Sequence, residues 1–329
     1  MKNFGYIRAA TVNDVVNELA VSGRDTLVLS GGMDLLDLLK EELVTPDVMV
    51  SLAQVQGLES ITVAADGKTT IGARVTLASL ASNSDLQSRY GVLADAAAKA
   101  ATPQIRNRAT IGGNILQRPR CWYFRKHEFD CLKKGGNSCP GAAGENRYLA
   151  VLGGGPCYAV HASSLAVALV ALDATAAISR PGGSRTSLVK DLFVSPGEDP
   201  TREHRLADNE VITSFQLPAP RVGSTNTYVK VRHKEAWDWA MAEAAVQLVV
   251  SGGLITDARV VLGGVAPIPW RSTDAEGVLK GKAPSTALMA QAANAAVAAT
   301  RPLSDNAYKV PAAYHVVEQA LLNAAGLAS

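Results

Sequence analysis

A Ser-Gly-Gly turn near the amino terminus constrains the fold of this 329-residue chain more than any other feature. Ser30-Gly31-Gly32 follows an apolar stretch, Thr26–Leu29, typical of a strand, and precedes a helical pattern from about Asp34 to Lys40. A helix that opens directly after such a turn has unpaired backbone N–H groups at its positive end, where phosphate oxygens bind well. Taken alone, this turn is more often an ordinary strand-to-helix connection than a ligand site.

A second pair of glycines, Gly112-Gly113, lies about 80 residues further on, within Ala109–Ile115. It adjoins Thr110 and Asn114, whose side chains can hydrogen-bond a phosphate or the edge of a ring. Two such turns suit a ligand with a diphosphate bridge better than one turn does. Neither has the Gly-x-Gly-x-x-Gly pattern, which disfavours a Rossmann site.

The order of strand and helix patterns predicts three parts. Residues 1–55 and 56–220 each form an α/β lobe, and the second carries a long loop at 118–157. Residues 221–329 form a three- or four-stranded antiparallel sheet with helices. We also expect a strand at Cys157–His161 and a linker rich in charge, Pro and Gly at Ser195–Asp208.

Composition excludes several classes of protein. The net charge is +2 and aromatic residues make up 5%, which disfavours a nucleic-acid binder. The longest apolar run, Leu165–Ile178, is interrupted by Asp173 and is too short to cross a bilayer, so we expect no membrane insertion. Met1–Tyr6 contains no apolar segment of a signal peptide, and we expect that the chain does not direct its own export.

Three motifs in order along the chain carry a resemblance to a known family. Ser30–Leu35, Gln104–Asn114 and Val260–Ala266 with Pro269–Arg271 resemble the FAD-binding subunit of the xanthine dehydrogenase and carbon monoxide dehydrogenase family. The resemblance implies an α+β fold: an FAD-binding fold of the vanillyl-alcohol oxidase type, with two α/β lobes, followed by the C-terminal antiparallel sheet. It places on FAD the residues Leu27, Val28, Leu29, Ser30, Gly31, Gly32, Met33, Asp34, Leu35, Thr102, Thr110, Gly112, Gly113, Asn114, Ser164, Ile212 and Lys230.

One position departs from the family pattern. The family has Ser-Asp-Leu-Ala where this chain has Ser163-Ser164-Leu165-Ala166. A serine at 164 can still hydrogen-bond to a polar part of FAD, but without a charge. We therefore expect weaker or altered flavin binding.

All four cysteines (Cys121, Cys131, Cys139 and Cys157) lie within one 37-residue window. No Cys-x-x-Cys pair occurs, so spacing alone matches no common zinc or ferredoxin pattern. From position 118 to 147 there are seven Lys or Arg and three Asp or Glu, a local excess of +4. Such surroundings favour an anionic cluster with thiolate ligands. A zinc ion and unligated structural thiols remain open alternatives.

The arrangement around the cysteines narrows the resemblance. Arg118-x-Arg120-Cys121-Trp122-Tyr123-Phe124, with three later cysteines, resembles the subset of the family that carries a [4Fe–4S] cluster, and is nearer to bacterial aldehyde oxidoreductases than to 4-hydroxybenzoyl-CoA reductase. This implies that all four cysteines bind the cluster.

The implied function is electron transfer within a molybdenum hydroxylase complex. Substrate is oxidised on a large molybdenum-cofactor subunit, electrons pass through [2Fe–2S] clusters on a small subunit, and FAD on this chain passes them to an external acceptor. We therefore expect no catalytic acid or base here. The rival functions are a self-contained flavin oxidase and a zinc-stabilised adaptor. The complex is expected in the cytoplasm, or in the periplasm if a partner bears the export signal.

Overall fold

The structure, a computed structural model, describes residues 1–234 and 237–328. The first sheet is parallel, with strands β1 (Gly5–Arg8), β2 (Thr26–Leu29) and β3 (Val48–Ser51) in the order β1-β3-β2. Two helices belong to this lobe, α1 (Val12–Leu19) and α2 (Leu35–Lys40). Helix α1 starts at a capping box, in which Thr11 accepts from the Asp14 backbone N–H and the Asp14 carboxylate accepts from that of Thr11.

The second sheet is antiparallel, and its strand order is β4-β5-β8-β6-β7. Its strands are β4 (Ile61–Val63), β5 (Thr69–Gly72), β6 (Thr175–Arg180), β7 (Gly183–Leu188) and β8 (Val211–Leu217). Because β8 inserts between β5 and β6, a segment far along the chain completes this lobe.

Short helices connect the second sheet to the long loop. They are α3 (Leu77–Ser82), α4 (Ser84–Arg89), α5 (Gly91–Ala98), α6 (Pro103–Arg106) and α7 (Ile111–Ile115). Within residues 118–157 the regular structure is limited to α8 (Trp122–Arg125) and two short 3-10 turns. The helix that follows, α9 (Ser164–Ala171), is apolar on all sides and buried at every position. It packs against α5 and against two strands of the C-terminal sheet, Ala242–Ser251 and Leu254–Gly263.

The third sheet is antiparallel, in the order β12-β11-β10-β9. Its strands are β9 (Ser224–Val231), β10 (Ala242–Ser251), β11 (Leu254–Gly263) and β12 (Trp270–Arg271). Helices α10 (Thr273–Leu279), α11 (Thr286–Val297) and α12 (Lys309–Ala325) pack with it around a separate apolar core. The predicted α+β class, with a C-terminal antiparallel sheet and helices, is confirmed.

Two predictions about local structure are wrong. Residues Cys157–His161 form no strand: Tyr158 only accepts from the Ala150 N–H, and His161 donates to Ala266. The Ser195–Asp208 segment is not a plain linker either, because Glu203 is nearly buried in an ion pair with Lys133.

The domain limits at residues 55 and 220 stay a prediction, although β8 ends at Leu217 and β9 begins at Ser224. The predicted domain 221–329 includes Glu235, Ala236 and Ser329, which lie outside the described residues.

No helix in the described part of the chain combines the length and apolar character needed to cross a bilayer.

Candidate functional site

The two glycine turns meet in space. The hydroxyls of Ser30 and Thr110 lie 2.9 Å apart, although 80 positions separate them in sequence. A Cβ added at Gly31 would lie 2.1 Å from the backbone oxygen of Arg108, and one added at Gly112 would lie 3.0 Å from that of Ala73. Gly31 requires glycine because the backbones of the two lobes meet there, whereas Gly112 lies tightly against the backbone of its own lobe.

A cavity of about 980 Å³ opens at this meeting point. This volume is near the upper end of ligand pockets, so it suits an elongated dinucleotide better than a small metabolite. All but two of the residues that the family resemblance places on FAD line it, namely Leu27, Val28, Ser30, Gly31, Gly32, Met33, Asp34, Leu35, Thr110, Gly112, Gly113, Asn114, Ser164, Ile212 and Lys230.

The two remaining predicted residues do not line the cavity. Leu29 packs against Gly32, with its Cδ1 atom 3.3 Å from where a Cβ of Gly32 would be. Thr102 caps helix α6, since its hydroxyl accepts from the Ile105 backbone N–H at 3.3 Å. Both therefore support the turns and helices around the cavity.

Hydrogen bonds between polar side chains hold the wall of the cavity together. Ser163, the N-cap of α9, donates to the Asn114 side chain at 2.6 Å. Its neighbour Ser164 donates to the buried carboxylate of Glu243 on β10 at 2.7 Å. The second glycine turn, helix α9 and the third sheet are thus connected through consecutive serines.

The aspartate of the first turn has a structural task that the motif did not predict. One oxygen of Asp34 lies 2.9 Å from Arg120 and 2.7 Å from Arg125, and the other accepts from the Arg118 backbone N–H at 2.8 Å. Asp37 adds a second, half-exposed carboxylate for Arg125 at 3.0 Å. The loop of residues 118–157, which carries the cysteines and is called the cysteine loop below, therefore contacts through three arginines the helix that begins at the first glycine turn.

Several cavity residues were missed by sequence reasoning. They include Arg118, Arg120 and His204, and also Leu206–Asp208 in the segment that was predicted as a linker. The Nδ1 atom of His204 is buried and has no hydrogen-bond partner within the described residues, and burial lowers the pKa of this imidazole. No local pattern marks these residues, because the fold alone brings them to the cavity.

The four cysteines come together beside α2. Cys131 and Cys157 are buried, whereas Cys121 and Cys139 are partly exposed. Cys131 packs with Leu38 of α2 and Phe124 of α8. Three of the cysteines directly precede a short helical turn: Cys121 before α8, Cys131 before residues 132–134 and Cys139 before residues 140–142. The backbone N–H groups of Tyr123 and Phe124 face the sulfur of Cys121, and those of Gly141 and Ala142 face the sulfur of Cys139.

Interactions among the thiols change their acidity. A hydrogen-bonding interaction with Cys157 lowers the pKa of Cys139 to about 6, and the same interaction raises the pKa of Cys157. Burial raises the pKa of Cys121, and the charges of Cys131 and Cys139 add to this rise, whereas the backbone N–H groups of Tyr123 and Phe124 oppose it. These interactions link all four thiols in one group.

No group of three or more His, Cys, Asp or Glu side chains is arranged to hold a single metal ion in residues 1–234 and 237–328. Lys133 supplies a buried positive charge close by, which acts to lower the pKa of Cys157, and it pairs with Glu203 at 3.0 Å.

The fold and the cavity define a class of protein: one with a large elongated cavity where glycine turns of two lobes meet, followed by an antiparallel sheet with helices. Family comparison agrees with this description. Residues 2–220 match the FAD binding domain in molybdopterin dehydrogenase, and residues 226–324 match the CO dehydrogenase flavoprotein C-terminal domain. The chain therefore belongs to the family of FAD-binding subunits of molybdopterin dehydrogenases.

Similar proteins cover almost the whole chain. The aldehyde oxidoreductase FAD-binding subunit PaoB of Escherichia coli (strain K12) is 33% identical, over 98% of this chain and 99% of that protein. The carbon monoxide dehydrogenase medium chain of Hydrogenophaga pseudoflava is 29% identical, over 97% and 96% respectively. A solved structure of the carbon monoxide dehydrogenase from that organism has a TM-score of 0.77 and 29% identity, covering 98% of this chain and 97% of that one.

Proposed function

We propose that this chain binds FAD in the cavity between its lobes and serves as the electron-transfer subunit of a molybdenum hydroxylase. The observation that carries the proposal is the contact between Ser30 and Thr110, which joins the two glycine turns at the cavity. The match of residues 2–220 to an FAD binding domain supports the same ligand. The diphosphate is assigned to the two turns: backbone N–H groups of the first turn can donate, and one of the two hydroxyls keeps its hydrogen for the ligand while the other donates within the pair.

When bound, FAD supplies the chemistry of accepting electrons and passing them on. The chain itself binds and orients the cofactor. Gly31 and Gly112 let the backbone approach it, and Ile212, which is 3% exposed, contributes an apolar wall. Lys230 brings an amine to the cavity, and burial lowers its pKa. We assign no acid or base to this chain, because substrate oxidation is proposed to occur on a partner.

The proposed partners are a large molybdenum-cofactor subunit and a small [2Fe–2S] subunit. Similarity to an aldehyde oxidoreductase FAD-binding subunit and to carbon monoxide dehydrogenase medium chains, over nearly their whole length, supports such a complex. Because the relatives of this chain are named for different substrates, it does not by itself determine the substrate of the complex, and an aldehyde is favoured by the relative at 33% identity.

Purification of the native complex tests this function. We expect the chain to co-purify with two other subunits, with one FAD per copy and with molybdenum and iron in the complex. A yellow chain that turns over substrate without partners would indicate a self-contained flavin oxidase. A colourless chain that holds zinc would overturn the proposal in favour of an adaptor.

We further propose that Cys121, Cys131, Cys139 and Cys157 bind a [4Fe–4S] cluster. The support is that all four thiols interact within one group and that backbone N–H groups face the sulfurs of Cys121, Cys139 and Cys157. Such groups stabilise the negative charge on cluster sulfurs. The alternative family member with this cluster, the 4-hydroxybenzoyl-CoA reductase type, is distinguished by assaying the complex with an aldehyde and with an aromatic CoA thioester.

Replacement of Cys131 tests the ligand set. We expect Cys131→Ser to remove iron absorption and the chain's own four iron atoms while some FAD stays bound, because the glycine turns remain intact. Ser138→Ala, in the same loop and exposed, is the matched control and should keep both cofactors. Unchanged iron content in Cys131→Ser would count against the proposed ligands.

The compartment is a separate proposal. A partner with a twin-arginine signal would carry this folded chain to the periplasm, and without such a partner the complex stays in the cytoplasm. Cell fractionation of the native host, with and without that signal on the partner, distinguishes the two.

A further inference from the structure

A buried carboxylate lies directly behind the cavity wall. Glu243 on β10 is 2% exposed and does not itself line the cavity. Its Oε2 atom accepts from the hydroxyl of Ser164 at 2.7 Å and also, through a shorter hydrogen bond, from that of Tyr228. A carboxylate is expensive to bury unless hydrogen bonds compensate it, so this position is held by specific partners rather than by packing.

The chain leaves room for this carboxylate. A Cβ added at Gly263, which is opposite Glu243 on β11, would lie 2.4 Å from its Oε1 atom. The next residue, Gly264, has a φ of +70°, and a Cβ there would lie 2.8 Å from the backbone oxygen of Ala240. The Gly-Gly pair of the C-terminal motif therefore accommodates Glu243 and the turn beside it, while no ligand contact is needed to explain it.

The hydrogen bond to Glu243 determines whether the Ser164 hydroxyl can donate or only accept in the cavity. A serine hydroxyl has one hydrogen to donate and two lone pairs. Since Ser164 donates its hydrogen to the carboxylate, only lone pairs remain for the cavity that it lines. A group that meets Ser164 in the cavity must then itself be a donor.

We propose that Glu243 is a positioning residue: by holding the Ser164 hydroxyl as an obligatory acceptor, it selects an N–H or O–H donor of the bound flavin at this wall. This inference rests on the proposed FAD function. The donor is either the imide N–H of the isoalloxazine ring or a hydroxyl of the ribityl chain. The assignment couples the third sheet, which carries Glu243, to the ligand held by the first two lobes.

Four variants test the assignment by fluorescence titration with FAD. Ser164→Ala removes the acceptor and should weaken FAD binding by about 3- to 10-fold, the usual effect of one hydrogen bond. Glu243→Leu removes the acceptor and leaves the serine hydrogen free to turn toward the cavity, so two donors face each other. We expect a loss of about 10-fold or more. In the double variant the second change should add much less than it does alone, and the remainder reflects Lys230, which lies opposite Glu243 and also lines the cavity.

Tyr228→Phe is the matched control. It removes the other hydrogen bond to the same oxygen of Glu243 and an interaction with Ser164, but the carboxylate still accepts the serine hydrogen. We expect a loss of thermal stability with FAD affinity within about 2-fold of wild type. Additive losses in the Ser164/Glu243 double variant, or equal losses of FAD affinity in Tyr228→Phe and Glu243→Leu, would show a merely structural role and overturn the proposal.

Flavin analogues identify the donor. If the imide N–H meets Ser164, N3-methyl-FAD should lose affinity in wild type and lose much less in Ser164→Ala. If a ribityl hydroxyl meets it, the corresponding deoxyribityl analogues should show this pattern instead. Equal discrimination in both proteins for every analogue overturns the inference. If wild type binds no FAD, the proposed function itself fails, and the two failures are thereby distinguished.

Discussion

At Gly31 the backbones of the first and second lobes are so close that there is no room for a side chain. We predict that Gly31→Ala weakens FAD binding by about 10- to 100-fold, because its new methyl group would lie 2.1 Å from the Arg108 oxygen and would force the turns apart. Overpacking of this kind costs about 1–3 kcal/mol. FAD titration and thermal unfolding measure the effect. Gly277→Ala, on α10 where a methyl group meets nothing within 4 Å, is the control. Equal FAD affinity in both variants would refute the close approach.

Single residues were predictable where the backbone itself demands a residue type. Gly31 and Gly112 were predicted from the paired-glycine turns, and their close approach to other backbone explains why they are glycine. Thr110 was predicted as a ligand contact, and it also caps the helix at the second turn. Glu243 and His204 could not be found. Their partners lie far away in sequence, and burial or position beside a cavity leaves no local signature in a single chain.

Helix α2 connects the first glycine turn to the cysteine loop through the carboxylate of Asp34. We predict that Asp34→Asn loosens residues 118–125 and speeds their proteolysis, because Arg125 would be left with only the half-exposed Asp37 as a carboxylate partner. The arginine is 11% exposed, so the expected cost is about 1–3 kcal/mol. Limited proteolysis with mass spectrometry measures it.

The matched control at this scale is Asp37→Asn. Asp37 lies 3.0 Å from the same arginine, but its side chain is 50% exposed, so its loss should cost less than about 1 kcal/mol. If both variants are cleaved equally fast, Asp34 has no special part in holding the loop.

Helices and strands were predictable where the local sequence has a regular apolar period. The third sheet was predicted as antiparallel because its strands follow regular apolar periods, and its strands pair in that way. Residues 157–161 look like a strand because they are apolar, yet β-structure needs a partner edge that the fold does not provide there. Residues 195–208 look like a linker because they are charged, and long-range ion pairs such as Glu203 with Lys133 give that charge a structural use.

At the scale of the whole molecule, a buried lysine adds polar contacts to the packing that holds the last helix. Lys309 at the start of α12 is 1% exposed and donates to the backbone oxygens of Gly264, at 2.7 Å, and Tyr148, at 3.0 Å. It thus joins α12 to the turn beside Glu243 and to the end of the cysteine loop. Stability and cofactor binding share this contact, because both depend on the third sheet staying in place.

The acidity of Lys309 makes this connection sensitive to pH. Burial lowers its pKa from 10.5 to about 7, so between these values the unfolded chain binds more protons than the folded one. The contribution of Lys309 to the unfolding free energy should therefore rise with pH from about 7 to 10.5. The slope of this contribution against pH should stay below about 1.4 kcal/mol per pH unit, the value for a difference of one bound proton.

Urea unfolding of wild type and Lys309→Met at pH 7, 8 and 9 measures this slope. We expect the difference in unfolding free energy to move in favour of wild type as the pH rises, since only wild type is relieved of a buried charge. Lys282→Met, which removes an exposed lysine, should leave the pH dependence as it is in wild type. A difference between wild type and Lys309→Met that is constant across these pH values would mean that Lys309 keeps its proton in the fold, so that its two hydrogen bonds outweigh the desolvation of the ammonium group.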